Sequence, residues 1–124
     1  MIARPLRFDA GSILIAQVRS KRGGEKTRPL VLLVTKQQIA EGEPLLCMAI
    51  TTTYPEPAPS LCVELPWDPS GRCSTGLRQR SAAVVDWVIE IAPEDIVAVV
   101  GRLSKDKIGQ ILTRLAAIRL KDGG

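Results

Sequence analysis

Histidine is absent from the 124 residues. Without an imidazole, Ser-His-Asp and Cys-His catalysis fall away, as do histidine metal sites and histidine acid–base cleavage of a phosphodiester. Aromatic residues are nearly as scarce. Phe8, Tyr54, Trp67 and Trp87 are the whole set, which speaks against a platform stacking several bases in a row. Cys47, Cys62 and Cys73 form no Cys-x-x-Cys pair and fall short of the four ligands of a structural zinc site. They read as buried or half-buried thiols in a reducing compartment, and no metal or other cofactor is expected. No apolar run approaches the roughly 20 residues that span a bilayer. Met1-Ile-Ala-Arg-Pro-Leu-Arg7 lacks the apolar core of a signal peptide. The expectation is a cytoplasmic protein with no membrane partner.

What is present fits one globular domain over 1–124: 13.4 kDa, 45% apolar and 24% charged residues. Net charge is +4, unevenly spread. Residues 1–30 carry Arg4, Arg7, Arg19, Lys21, Arg22, Lys26 and Arg28 against Asp9 and Glu25. Residues 40–75 carry Glu41, Glu43, Glu56, Glu64 and Asp68 against Arg72. A basic N-terminal part points to an anionic partner, nucleic acid first. A solvated basic surface without a partner would show the same charge.

The chain reads as strands followed by one helix. Ser12–Arg19 is apolar and β-branched, and a basic, glycine-bearing loop follows over 20–27. Pro29–Thr35 and Leu45–Thr51 are continuous apolar runs, short enough for buried strands. Residues 54–60 hold three prolines and form a loop. Leu61–Leu65 alternates, Trp67–Gly71 is a turn, and Ser81–Ile91 is a long strand broken by Pro93-Glu-Asp95. Ile96–Leu103 is the last strand. Ser104 caps a helix with Asp106 in its first turn, and Ile108, Ile111, Leu112, Leu115 and Ile118 share its apolar face. Asp122-Gly-Gly124 reads as a frayed end. Many short strands with turns between them suggest a small barrel or sandwich.

The order of these pieces resembles a known family. A Gly-x-Ile-Leu strand leads to Glu25, then Arg28-Pro29 and an apolar strand. Ala49-Ile-Thr-Thr52, Thr75-Gly-Leu77 with Ser81 and Asp86, and Gly101-Arg-Leu-Ser104 before a helix complete it. The pattern is similar to the MazF/PemK family of bacterial toxins over about residues 10–118. The resemblance implies a mainly β fold, an SH3-like small barrel with short helices and a C-terminal α-helix. It implies a homodimer, a cognate antitoxin partner, and metal-independent cleavage of single-stranded RNA to a cyclic phosphate and a 5′-OH. DNA would be met only through the toxin–antitoxin complex. Carried over by motif, the family's arginine falls on Arg28, its threonine on Thr51, its loop acid on Glu25 and its later acidic position on Asp86.

The chemistry suits these residue types. Attack of a ribose 2′-OH on its own phosphate needs charge stabilisation, a proton acceptor and protonation of the leaving oxygen. A guanidinium at Arg28 matches two phosphate oxygens, and the Thr51 hydroxyl can donate to the same oxygens. Glu25 is the nearest acceptor. Arg19, Lys21, Arg22, Lys26, Thr52, Arg78, Arg80 and Asp86 are candidate RNA contacts. Two positions depart from the family: Trp87 follows Asp86 where glutamine is common, and Gln17-Val-Arg19 stands where an aromatic is common. A second function stays open. The chain could be a non-catalytic relative that binds nucleic acid or joins its antitoxin in operon repression. A protein-interaction SH3 domain usually needs an aromatic-lined groove, for which four aromatics are too few.

Overall fold

A computed structural model describes residues 9–19, 24–34 and 44–122, with the side chains of Arg19, Glu25 and 119–122 outside that description. Six strands form one antiparallel sheet in the order β4-β5-β3-β2-β1-β6. They are β1 (Ser12–Arg19), β2 (Glu25–Leu32), β3 (Leu45–Thr51), β4 (Cys62–Leu65), β5 (Ser81–Ile91) and β6 (Ile96–Arg102). A C-terminal helix, α1, covers Lys105–Asp122. The mainly β expectation holds. The sheet is curled but its strands do not close into a continuous barrel.

The apolar runs form strands buried on both faces, because alternate side chains feed two cores. Ile13, Val31, Met48 and Ile50 join Val63, Val85 and Ile111 in one core. Their sequence neighbours Leu14, Leu30, Leu32, Cys47 and Ala49 join Ile91 in the other. Curling follows from chain length. In strand order β5 and β6 are four spacings apart, about 19 Å if the sheet were flat. Only residues 92–95 connect them, and Pro93–Asp95 form a 3-10 turn that advances about 2 Å per residue. So short a link joins them only if the sheet bends round.

The gap between β4 and β6 is bridged by the loop after β4. The backbone N–H of Arg102 donates to the Ser74 carbonyl at 2.8 Å. The buried Thr75 hydroxyl donates to the Pro66 carbonyl at 2.7 Å and accepts the Leu77 N–H at 3.2 Å. This contact needs glycine on both sides. Gly76 has φ +72, a conformation that costs other residues energy, and a Cβ there would overlap the Val100 carbonyl oxygen. A Cβ on Gly101 would overlap the Ser74 oxygen and the Thr75 carbonyl carbon.

Helix α1 begins where Ser104 is expected to cap it. The Lys107 N–H donates to Ser104 Oγ at 3.3 Å, and Asp106 sits in the first turn. Ile111 is buried, with Ile108, Leu115 and Ile118 packed beside it. Leu112 departs from the expected stripe and is 45% exposed, since position 112 turns about 100° from Ile111. Two boundaries also differ. β2 starts at Glu25, inside the expected basic loop, because its first residues pair with β1 at Arg19↔Glu25 and Val18↔Lys26. It ends at Leu32, short of the expected Thr35, which lies outside the described residues. The helix runs to Asp122, and 123–124 lie outside the described residues.

The closure can be probed by substitution. Gly101→Ala is expected to destabilise the fold by roughly 1–3 kcal/mol in urea titrations. Gly109→Ala, in α1 with nothing within 4 Å of the new Cβ, should stabilise it by up to about 1 kcal/mol. Thiol reactivity should also report the closure. Hydrogen bonding from Thr75 and the adjoining backbone holds the Cys73 thiol below its ordinary value, whereas burial pushes Cys47 up to about 12. Iodoacetamide at pH 8 should therefore label Cys73 first and Cys47 only after unfolding, as read by peptide mass spectrometry.

Candidate functional site

Arg28 lies in β2 and Thr51 ends β3. The β2–β3 ladder pairs Leu30↔Ala49, Val31↔Met48 and Leu32↔Cys47. The ladder stops at Leu30↔Ala49; continued at the same register, two further positions would set Arg28 opposite Thr51. Both carry the parity of Leu30 and Ala49, so their side chains continue one face of the sheet. The apolar rows of that face end here in a guanidinium and a hydroxyl. Thr51 is half-buried and Arg28 lies at the exposed end of β2. Lys26, exposed, has the same parity in β2 and adds a cation about 7 Å along the strand.

Trp87 enters from the other side of β3. Between Met48↔Val88 and Ile50↔Ala83, two positions of β3 face five of β5, so residues 84–87 bulge from the ladder. From that bulge the indole meets Arg28, whose guanidinium carbon stands 5.0 Å from the ring centroid. β3 lies between the two strands, so the contact spans two strand spacings, about 10 Å. Only two long side chains reach that far, over a β3 that presents alanine at position 49. Among the described residues, no carboxylate or carbonyl occupies the Arg28 N–H groups.

The other candidates occupy distinct settings. The Thr51 hydroxyl is 3.1 Å from both the N–H and the carbonyl oxygen of Thr53, a tight local turn that holds the side chain at the strand end and leaves Thr52 exposed. Arg80 is committed elsewhere. It stacks on the Tyr54 ring at 3.8 Å and donates to the Tyr54 and Pro55 carbonyls at 3.1 and 3.4 Å. It also pairs with Glu64 at 3.6 Å and Glu56 at 3.8 Å. Arg80 thus pins the proline loop rather than facing a ligand with a free fork. Burial, ahead of these neighbouring charges, raises the Tyr54 phenol above its ordinary value. Arg78 is exposed, with its Nε over Gly71. Asp86 is exposed at the bulge; after burial, its carboxylate is the second cause that raises the Cys62 thiol.

The backbones of Arg19 and Glu25 face each other in the β1–β2 ladder, and their side chains lie outside the described part of the structure, as do Lys21 and Arg22 entirely. Among the described residues, no three Cys, Asp or Glu side chains are grouped to hold a metal ion. No helix there is long and apolar enough to cross a membrane. The sequence alone marks Trp87 only as a departure from a family glutamine. Its reach to Arg28 depends on the β5 bulge, which no local pattern announces.

Solved structures of similar fold include toxins and endoribonucleases. MazF from Deinococcus radiodurans aligns over 92% of this chain and 97% of its own, with TM-score 0.71 and 12% identity. The Mycobacterium tuberculosis toxin MazF-mt6 aligns over 86% and 93%, with TM-score 0.66 and 20% identity. An endoribonuclease from a mycobacterial species, solved with its cognate antitoxin, aligns over 90% and 93%, with TM-score 0.68 and 14% identity. Among curated proteins no significant sequence match was found. The family model of the PemK-like, MazF-like toxins matches residues 9–118. With a match over nearly the whole chain, the protein belongs to the PemK-like, MazF-like toxins of type II toxin–antitoxin systems.

Proposed function

We propose that this chain is a metal-independent endoribonuclease toxin that cuts single-stranded RNA at selected sequences. The observation that supports the reading is the β2–β3 register, which, continued two positions past Leu30↔Ala49, would set Arg28 opposite Thr51. The 2′-oxygen attacks the adjacent phosphorus, the bond from phosphorus to the 5′-oxygen breaks, and a 2′,3′-cyclic phosphate and a 5′-OH result. Arg28 binds the two non-bridging oxygens as charge builds on them. Thr51 rotates its hydroxyl from the Thr53 carbonyl to the same oxygens. Glu25 is the acid carried over as acceptor of the 2′ proton; three residues from Arg28 and at the alternate position of β2, it takes that proton through water, and water supplies the proton for the leaving oxygen. The nucleophile belongs to the substrate, so proximity is gained without a protein nucleophile.

Lys26 and Thr52, together with Arg19, Lys21, Arg22 and Arg78, serve as RNA contacts, and Asp86 as a nearby polar contact. A cognate antitoxin masks this basic face in the cytoplasm, as antitoxins accompany several of the similar solved proteins. The active unit is a homodimer, and DNA is met only within the toxin–antitoxin complex. A second reading, a non-catalytic RNA-binding relative, draws on one observation: the Thr51 hydroxyl is already held at Thr53.

Both readings predict RNA binding that weakens with salt, with a log–log slope near −0.7 per phosphate neutralised. Only the first predicts cut products in EDTA. Arg28→Ala should lower kcat by about 10²–10³ or more while leaving the circular dichroism spectrum and melting transition intact. Thr51→Val, which keeps the side-chain shape, should lower kcat by at least about 10². Glu25→Gln should remove the limb of the pH–rate profile that reports the base. Gel analysis of a long single-stranded RNA, with the cyclic phosphate identified by mass spectrometry, measures all three. Normal cleavage by a folded Arg28→Ala protein overturns the assignment.

A further inference from the structure

We infer that Trp87 is the base-stacking and arginine-positioning residue of this site, taking the nucleobase next to the phosphate that Arg28 binds; this rests on the RNA-cleaving reading. Three observations lead there. The first is the contact itself. A guanidinium held against an aromatic face keeps its N–H groups in their own plane, free for the two oxygens of a phosphate. Trp87 thus fixes Arg28 without consuming the donors the chemistry needs, as a carboxylate partner would.

The second is exposure. Trp87 remains 40% exposed although it already covers Arg28. A large apolar surface left open beside a cation suits a ligand with one flat face and one anionic group, which describes a nucleotide. The third is the absence of a rival. Of the other aromatics, Tyr54 is taken by Arg80, Trp67 lies on the β4–β5 loop, and Phe8 falls outside the described residues. Among the described residues, Trp87 is the aromatic in contact with Arg28, so one base can stack there. Sequence choice would centre on that nucleotide.

Fluorescence isolates the residue. In a Trp67→Phe protein, Trp87 is the single indole. A mixed-sequence 2′-O-methyl RNA cannot be cut and should quench its emission. A 2′-O-methyl strand of equal length made of abasic units keeps the phosphates and should bind with little quenching. Anisotropy of labelled strands reports binding separately. In cleavage assays Trp87→Ala should raise KM about 5- to 150-fold, and Trp87→Phe should restore most of the loss. Trp87→Ala should also lower kcat, because Arg28 loses its support. The variants should lose far less affinity for the abasic strand than for the base-containing one.

Binding without quenching by the methylated RNA, or equal loss on base-containing and abasic strands, overturns the stacking role and leaves the nuclease reading intact. Failure of the unsubstituted protein to bind or cut RNA overturns both. If Trp87→Ala does not fold, the fluorescence arm decides the matter unaided.

Discussion

The alternation of side chains along β2 and β3 is the constraint on which the rest of this molecule depends. A pleated strand sends successive residues to opposite faces, and an antiparallel ladder keeps opposed residues on the same face. The pairing Leu30↔Ala49 therefore fixes what Arg28 can meet. A slip of β3 by one residue would turn Thr51 to the other face and carry Cys47 and Ala49 with it. The two cores forbid such a slip. Leu30, Cys47 and Ala49 fill one, and Val31, Met48 and Ile50 fill the other, all nearly or fully buried. Burial of apolar side chains, at about 1.5–3 kcal/mol for each large one, sets the register that aligns the polar pair.

A sheet buried on both faces needs cover on both, and the described strands form a single sheet. Curling supplies the cover. The tight link at Pro93–Asp95 brings β6 round to β1, while α1 lies over the other core. The remaining gap is filled by backbone rather than by another strand, with Gly76 and Gly101 allowing the chains to approach. The fold reaches a barrel-like enclosure through a loop. The strands therefore stay open in order even though their interior is closed to water.

Much of this is legible in the residues. Three apolar runs, the proline break at 93, and Ser104 before a 3.6-residue period fix most elements and the helix start. Arg28 and Thr51 are legible only as a pair carried by family resemblance, since neither arginine before proline nor threonine at a strand end is distinctive alone. Other features lie beyond local pattern. Glu25-Lys-Thr-Arg28 looks like a loop because it is polar, yet it extends β2 through its pairing with β1. The β5 bulge arises from mismatched spans of two strands, so in the sequence Trp87 looks like a missing glutamine and not like a partner for Arg28. Arg80 looks like a phosphate ligand because its partners, Tyr54, Glu56 and Glu64, come from distant positions.

Arg80 and Arg28 show how one side chain is made structural in one place and reactive in another. Each lies on an aromatic ring, Tyr54 or Trp87. Around Arg80 two carbonyls and two carboxylates consume the N–H fork and balance the charge. A phosphate arriving there would have to displace those partners and would meet the field of Glu56 and Glu64. Arg28 receives orientation from its ring, and among the described side chains its neighbours of like parity on β2 and β3 are Lys26 and Thr51. An anion bound there gains charge-assisted hydrogen bonds from the guanidinium without displacing a carboxylate or carbonyl of the described residues. The cost of fixing a long, flexible side chain has been met in the folded state, which is what preorganisation of an electrostatic site requires. On these grounds the proposed chemistry is assigned to Arg28, whereas Arg80 belongs to the loop it holds.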